Sequence, residues 1–239
     1  MKLLPRVYQV SSATLTHPWD ASAYLLDSDD GLYLIDCGTP EGYEACLSNI
    51  RSLGYDPAKI KAILGTHGHY DHVGAAAAFK RDFQTQLYLH EADRVSVESG
   101  DPITTTASLL YGSTFPPCTV DHLIEDAMVF ALGTITITAL HTPGHSPGSI
   151  CFVIETADMR LLVAADTLFG GFSPEIGSDA LQWRETLEQL STMHFDAMSF
   201  GHGGSSLLFD VARRIDSAKR SFGLYYVPWF KDFYQDYPY

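Results

Sequence analysis

The run Thr66-His67-Gly68-His69-Tyr70-Asp71-His72 packs three of the chain's ten histidines and one aspartate into six residues. At this composition a His-x-His-x-Asp-His string arises by chance about 0.001 to 0.002 times per chain, so coincidence is a poor account of it. Neutral imidazole together with carboxylate is a donor set for zinc, iron or manganese. In an extended stretch residues two apart share a side, so His67 and His69 present their rings together, whereas Asp71 and His72 follow the bend and address a second point nearby. One turn supplies too few ligands for a metal, and the chain offers three more candidates. His145 lies in Thr142-Pro143-Gly144-His145-Ser146-Pro147-Gly148-Ser149, Asp166 ends an apolar run, and His202 sits in Gly201-His202-Gly203-Gly204. Each follows the C-terminal end of a strand candidate, where ligands and catalytic groups gather in open α/β sheets.

The elements that must position these residues are short runs rich in β-branched and aliphatic side chains, at 23–26, 32–35, 60–64, 134–140, 150–154, 161–165 and 197–200. Each has strand length and is bounded by Gly, Pro, Asp or Ser. Between them helical patterns run over 40–54, 178–193 and about 205–221, and the histidine-rich run reads as a strand-to-helix turn. The strands at 23–26 and 32–35 are expected to form a hairpin through Ser28-Asp29-Asp30-Gly31. Alternation of this kind predicts an α/β fold with a mixed sheet. The least regular stretch, 100–117, lies near the middle.

Fifteen basic against 29 acidic residues give a net charge of −14, which leaves nothing to neutralise a phosphate backbone, so nucleic acid is not the expected partner. Cys37, Cys46, Cys118 and Cys151 stand singly and read as small core hydrophobes rather than a thiolate clip or a disulfide framework. No apolar run approaches a membrane span, and Pro5 and Arg6 interrupt the N-terminus before a signal-peptide core could form, so a cytoplasmic location away from membranes is expected. Five histidines lie outside the motifs, and of these only His141, four residues before His145, reads as a candidate neighbour of the site. Asp36 and Tyr70 are further candidates, Asp36 to orient a ligand and Tyr70 to line an entrance.

Taken in order, these motifs resemble the metallo-β-lactamase superfamily of metal-dependent hydrolases, from Leu34-Ile35-Asp36-Cys37-Gly38 through His202. The resemblance implies an αβ/βα four-layer sandwich over residues 1–221, with a dinuclear site at one edge of the sheets. It implies that His67, His69 and His145 bind a first metal, that Asp71, His72 and His202 bind a second, and that Asp166 bridges both. A bridging carboxylate is similar to the glyoxalase II and lactonase branches rather than to lactamases with cysteine at that place. With 37 residues after His202, no counterpart of the glyoxalase II helical C-terminal domain is expected, and Phe169 stands where the homoserine-lactone lactonases usually carry tyrosine.

The expected chemistry is hydrolysis by a metal-bridging hydroxide, with Asp71 and Asp166 as the catalytic carboxylates and two divalent ions, zinc foremost and iron or manganese as alternatives. A small ester, thioester, lactone or related carbonyl compound is the expected substrate. No basic residue occurs between positions 161 and 183 to clamp a polyanion. A mononuclear-iron persulfide dioxygenase and a phosphodiesterase are the alternatives on the same scaffold. Tyr111, Phe115, Phe169 and Phe172 are candidate pocket walls. The aromatic-rich tail at 222–239 is expected to pack on the domain or to form a homodimer interface.

Overall fold

A computed structural model describes residues 1–168, 170–203 and 207–222. The chain begins with β1 (Lys2–Leu4), β2 (Val7–Ser11), β3 (Ala23–Asp27) and β4 (Leu32–Ile35), followed by α1 (Tyr43–Ser52) and β5 (Ile60–Leu64). The short helix α2 (Tyr70–Val73) leads to α3 (Ala76–Phe83), β6 (Gln86–His90), α4 (Glu91–Ser99), α5 (Ala107–Tyr111) and β7 (His122–Ile124). The second half comprises β8 (Val129–Leu132), β9 (Ile135–His141), β10 (Ile150–Glu155), β11 (Arg160–Val163), α6 (Ala180–Ser191), β12 (Ala197–Ser199) and α7 (Val211–Ser221). Strands β1 to β7 form one sheet in sequence order, and the other runs β12-β11-β10-β9-β8.

Side-chain alternation builds the layers. In β3 and β4, Tyr24, Leu26, Tyr33 and Ile35 face the second sheet and meet Ile137, Ala139, Phe152, Ile154 and Val163. Leu25 and Leu34 point the other way, onto Leu47 and Ile50 of α1 and Phe79 of α3. On the far face of the second sheet Cys151, Val153 and Leu162 pack against Trp183, Leu187 and Leu190 of α6 and Ile215 and Ala218 of α7. The result is helices, sheet, sheet, helices, the expected four-layer αβ/βα arrangement. Both faces of β4 are covered, which is why it reads as an unbroken apolar run. All four cysteines are buried and unpaired.

The hairpin between β3 and β4 pairs Asp27 with Leu32, and its Ser28–Gly31 turn closes by the Ser28 hydroxyl donating to the Gly31 carbonyl at 2.7 Å. Expected elements shift by a few residues: α1 starts at Tyr43 rather than 40 and α7 at Val211 rather than 205. β4, β5 and β6 are parallel neighbours, so their C-terminal ends open on one edge. Among the described residues no helix is long and apolar enough to cross a membrane.

Candidate metal centre

Every candidate side chain leaves the end of a strand toward that edge. After β5 the chain bends at Thr66, His67 and Gly68, is extended at His69 (ψ 154°) and then enters α2, so His67 and His69 precede the helix while Asp71 and His72 lie within it. Asp166 follows β11 with Ala165 held at φ 44°, a left-handed backbone that a residue other than glycine adopts at a cost and that persists where its surroundings enforce it. Asp36, just past β4, is held in the same way at φ 56°. His145 sits in the β9–β10 loop and His202 beyond β12. Gly201 is required there, because a Cβ would lie 2.1 Å from Oδ1 of Asp166.

Three overlapping groups of potential ligand atoms result, one of which, His67, His72 and Asp166, joins the other two. His67, His69 and His145 form one, with His67 Nε2 2.9 Å and His145 Nε2 3.0 Å from His69 Nδ1. Ligand atoms around a tetrahedral ion lie about 3.3 Å apart, so this convergence is of the right size. Asp71, His72 and His202 form the other, with His202 Nε2 3.2 Å and His72 Nε2 3.6 Å from Asp71 Oδ2. Asp166 lies between them. Its Oδ2 is 3.5 Å from His145 Nε2 and 3.2 Å from His202 Nε2, and its Oδ1 is 3.3 Å from His72 Nε2. Oδ1 of Asp166 and Nε2 of His72, 3.3 Å apart, are buried and neither has a hydrogen-bond partner. Buried polar atoms of this kind are normally satisfied, so the donor set fits a cation.

Electrostatics divides the site. Burial, reinforced by the neighbouring histidines, pushes His67 and His69 well below the ordinary histidine pKa, and burial lowers His145 as well, so all three are neutral imidazoles fit to ligate. For Asp71 burial acts upward, but His72 and His202 overcome it and hold the carboxyl near 2. Asp166 is likewise held well below the carboxylate range, against burial, by His202 and His72. Burial opposes protonation of His202, yet Asp166 and Asp71 lift it to about 10, and carboxylates raise His72 too. This half therefore demands positive charge, which protons on the histidines or a cation can provide.

The opposite ring nitrogens are fixed. His72 Nδ1 lies 2.8 Å from Asp36 Oδ2, and Asp36 also accepts from the Thr66 amide and hydroxyl at 2.8 Å each. His67 Nδ1 lies 3.0 Å from the Thr66 hydroxyl, and His145 Nδ1 2.8 Å from the Gly171 carbonyl. Such partners set tautomer and ring orientation. Sequence reasoning overlooked Asp93 of α4. Its buried carboxylate accepts from the Gly68 amide at 2.9 Å, the Ser146 hydroxyl at 2.9 Å and the Gly148 amide at 2.8 Å, and so ties the turn carrying His67 and His69 to the loop carrying His145. Its position just beyond β6 was the available signal.

A pocket of about 320 Å³ opens over the centre, lined by His69, Asp71, His145, Asp166 and His202 with Thr106, Leu110, Tyr111, Gly171 and Ile176. Of the expected walls Tyr111 is in place. Phe115 is instead buried in the core against Tyr70, and Phe172 packs on the α6–α7 core. Tyr70 lines no entrance: it is buried, with its hydroxyl on Glu41 and Ser113. His141 stacks on His90 at 4.0 Å and bonds the Pro147 carbonyl, away from the clusters. Phe169 and the tail beyond Phe222 lie outside the described residues; Phe222 itself packs on Trp183 at 5.8 Å.

The fold and the His/Asp edge define a class of proteins, metal-binding members of the metallo-β-lactamase fold. The family model described as "Metallo-beta-lactamase superfamily" matches residues 17–202, and the chain belongs to that superfamily. It is 34% identical over 154 residues to the "Probable metallo-hydrolase YqgX" of Bacillus subtilis, covering 64% of this chain and 69% of that protein. It is 25% identical over 206 residues to the "Probable metallo-hydrolase MJ0888" of Methanocaldococcus jannaschii, covering 82% and 94%. Among solved structures, metallo-β-lactamase GOB-18 from Elizabethkingia meningoseptica superposes with a TM-score of 0.77 at 28% identity over 97% of this chain and 92% of that one. A Cronobacter sakazakii metallo-β-lactamase shares the fold with a TM-score of 0.78 at 24% identity, over 93% and 94%.

Proposed function

We propose that residues 1–221 form a dinuclear-metal hydrolase of the glyoxalase II and lactonase-like kind, acting on a small ester, thioester, lactone or related carbonyl compound. The observation that carries this reading is Asp166, whose two oxygens stand between a neutral three-histidine cluster and an acidic one at the base of a pocket. His67, His69 and His145 would hold one ion, Asp71, His72 and His202 the other, and Asp166 both, with zinc the first candidate. The chemistry such ions would supply there is acidification of water to a nucleophile near neutral pH and polarisation of the substrate carbonyl.

The chain's own groups do the rest. Asp71, ionised and lining the pocket, orients the attacking water by accepting its hydrogen bond. Asp36 and Thr66 hold the rings of His72 and His67, so the ligand cage is rigid before substrate arrives. The water oxygen bonds to the carbonyl carbon, the C–O, C–S or C–N bond breaks, and the leaving group departs with a proton. The names of the metallo-hydrolase and metallo-β-lactamase relatives support hydrolysis.

The test is a turnover panel on metal-loaded protein, with short acyl esters, thioesters, lactones, a β-lactam, a phosphodiester and RNA. Preference for an ester, thioester or lactone is expected. Preference for RNA or the phosphodiester, or oxygen consumption with a persulfide in place of hydrolysis, would overturn the reading.

A further inference from the structure

Five of the ten pocket-lining residues are the proposed metal ligands, and among the described lining residues the only other polar side chains are Thr106 and Tyr111. Thr106 is almost fully buried and its hydroxyl is sealed from water, whereas Tyr111 is half-buried and lines the same pocket as Asp71 and Asp166. Among the described lining residues Tyr111 is therefore the half-buried polar side chain beside the proposed ligands.

Its placement is enforced. Helix α5 spans only Ala107–Tyr111 and is bounded by two left-handed residues, Thr106 at φ 65° and Gly112 at φ 59°. A β-branched residue in that region is an outlier, and backbone strain of this kind persists where the surroundings over-determine it. The surroundings here are the ligand turn itself. The Tyr70 amide donates to the Thr105 carbonyl at 2.7 Å, and the Tyr70 hydroxyl lies 2.9 Å from that of Ser113. The Tyr111 ring is held between Tyr70 at 5.5 Å and Trp19 at 5.4 Å. With the ring held, the C–O torsion of Tyr111 sets where its hydroxyl hydrogen points.

We propose that Tyr111 is a catalytic hydrogen-bond donor to the reacting oxygen of a neutral acyl substrate whose apolar group lies along Leu110 and Ile176; the proposal rests on the hydrolase reading above. Leu110 and Ile176 are the large apolar side chains lining the pocket, Leu110 being 65% exposed at its mouth, and no lysine or arginine is among the described lining residues to hold an anionic tail. A donor aimed at the oxygen where charge develops acts in the transition state more than in the ground state, so its loss falls on kcat. The acyl-chain contact is made equally in both states, so its loss falls on KM.

The experiment uses the full metal-loaded chain with p-nitrophenyl acetate, butyrate and hexanoate and the matching thioesters. Tyr111→Phe should lower kcat about 100-fold with KM within about threefold. Its metal content and the visible spectrum of the cobalt-substituted protein should match the parent, since no ligand is touched. Leu110→Ala should raise KM for hexanoate about tenfold more than it raises KM for acetate, and an equal change for the two esters would count against the acyl contact. Near-parental kcat in Tyr111→Phe overturns the proposal while leaving the hydrolase reading intact. Loss of metal or a changed cobalt spectrum in Tyr111→Phe also overturns it, because the tyrosine would then be positioning Asp71. A parent protein inert toward every ester and thioester defeats the hydrolase reading and this proposal together.

Discussion

Replacing Asp93 should loosen both ligand-bearing loops at once without touching a proposed ligand. Its carboxylate is 5% exposed and accepts three hydrogen bonds at 2.8 to 2.9 Å, from Gly68, Ser146 and Gly148. Burial raises its pKa above the ordinary carboxylate value, although the three hydrogen bonds and His145 pull the other way and favour the charged form. Asp93→Ala strands two amides and a hydroxyl in a buried space, at about 1 to 3 kcal/mol for each group left unmade. Partial relaxation and water entry bring the expected loss to about 3 to 5 kcal/mol. Asp93→Asn keeps the shape but turns one acceptor into a donor facing another donor, for a loss of about 2 kcal/mol. Gly68 and Gly148 leave no slack, because a Cβ at either would stand 3.1 Å or 2.5 Å from Asp93 atoms. Denaturant unfolding of the metal-free protein reads the stability term. Chelator competition should show metal affinity lowered about 10- to 100-fold, as expected when the support of ligating side chains is removed. Both variants within 0.5 kcal/mol of the parent, roughly the spread for inconsequential surface changes, with unchanged affinity, would refute the clamp.

Asp166→Ala should cost more activity than alanine at His17, His90, His122 or His194 and should also lose one metal ion, since two cations would otherwise face each other unscreened; elemental analysis with turnover checks it, and both ions retained at near-normal rate would count against the bridging role. Gly144 has φ 141°, and a Cβ there would sit 2.2 Å from that of Trp183, so Gly144→Ala should lower the melting temperature by several degrees and weaken metal binding through the adjacent His145; an unchanged melting curve contradicts this. His90 is held near 4 by burial first and by stacked His141 second, and its neutral Nδ1 accepts the Ala92 amide at the start of α4. The unfolded chain takes up this proton first as pH falls from about 6.5 to 4, so stability is lost across that window, by roughly 1 kcal/mol once solvent screening of a half-buried group is allowed for. His90→Asn, which keeps a capping oxygen, should flatten the decline, and an identical slope would contradict it.

The strands under the site were legible from their apolar content. β4, an unbroken apolar run buried throughout, falls at 32–35, and β5 falls at 60–64 with Lys61 as the one exposed residue of an otherwise buried strand. The elements that escaped notice have other reasons to exist. β6, with the pattern Gln-Leu-Tyr-Leu-His, buries only alternate residues, and α4 buries only Asp93 and Val97, so its start depends on the His90 cap and its packing on one hydrogen-bonded carboxylate. Short α5 is specified by left-handed turns at its two ends rather than by periodicity. For the site, the positions at strand ends could be read because parallel neighbours must open on one edge. The partner of each ring could not, since Asp36 and Asp93 meet their targets across 36 and 55 residues of sequence. The expected aromatic walls fared worst: Phe115 has no polar edge to keep it near a wet pocket, and the core took it.

Metal stoichiometry tests most directly whether these seven side chains hold two ions. Protein loaded with zinc under mild excess, freed of unbound metal and assayed by elemental analysis, should carry two ions per chain. His67→Ala and His202→Ala should each reduce that to about one, because each removes a ligand from a different cluster. A single ion in the fully loaded parent, abolished by His67→Ala and untouched by His202→Ala, would contradict the account.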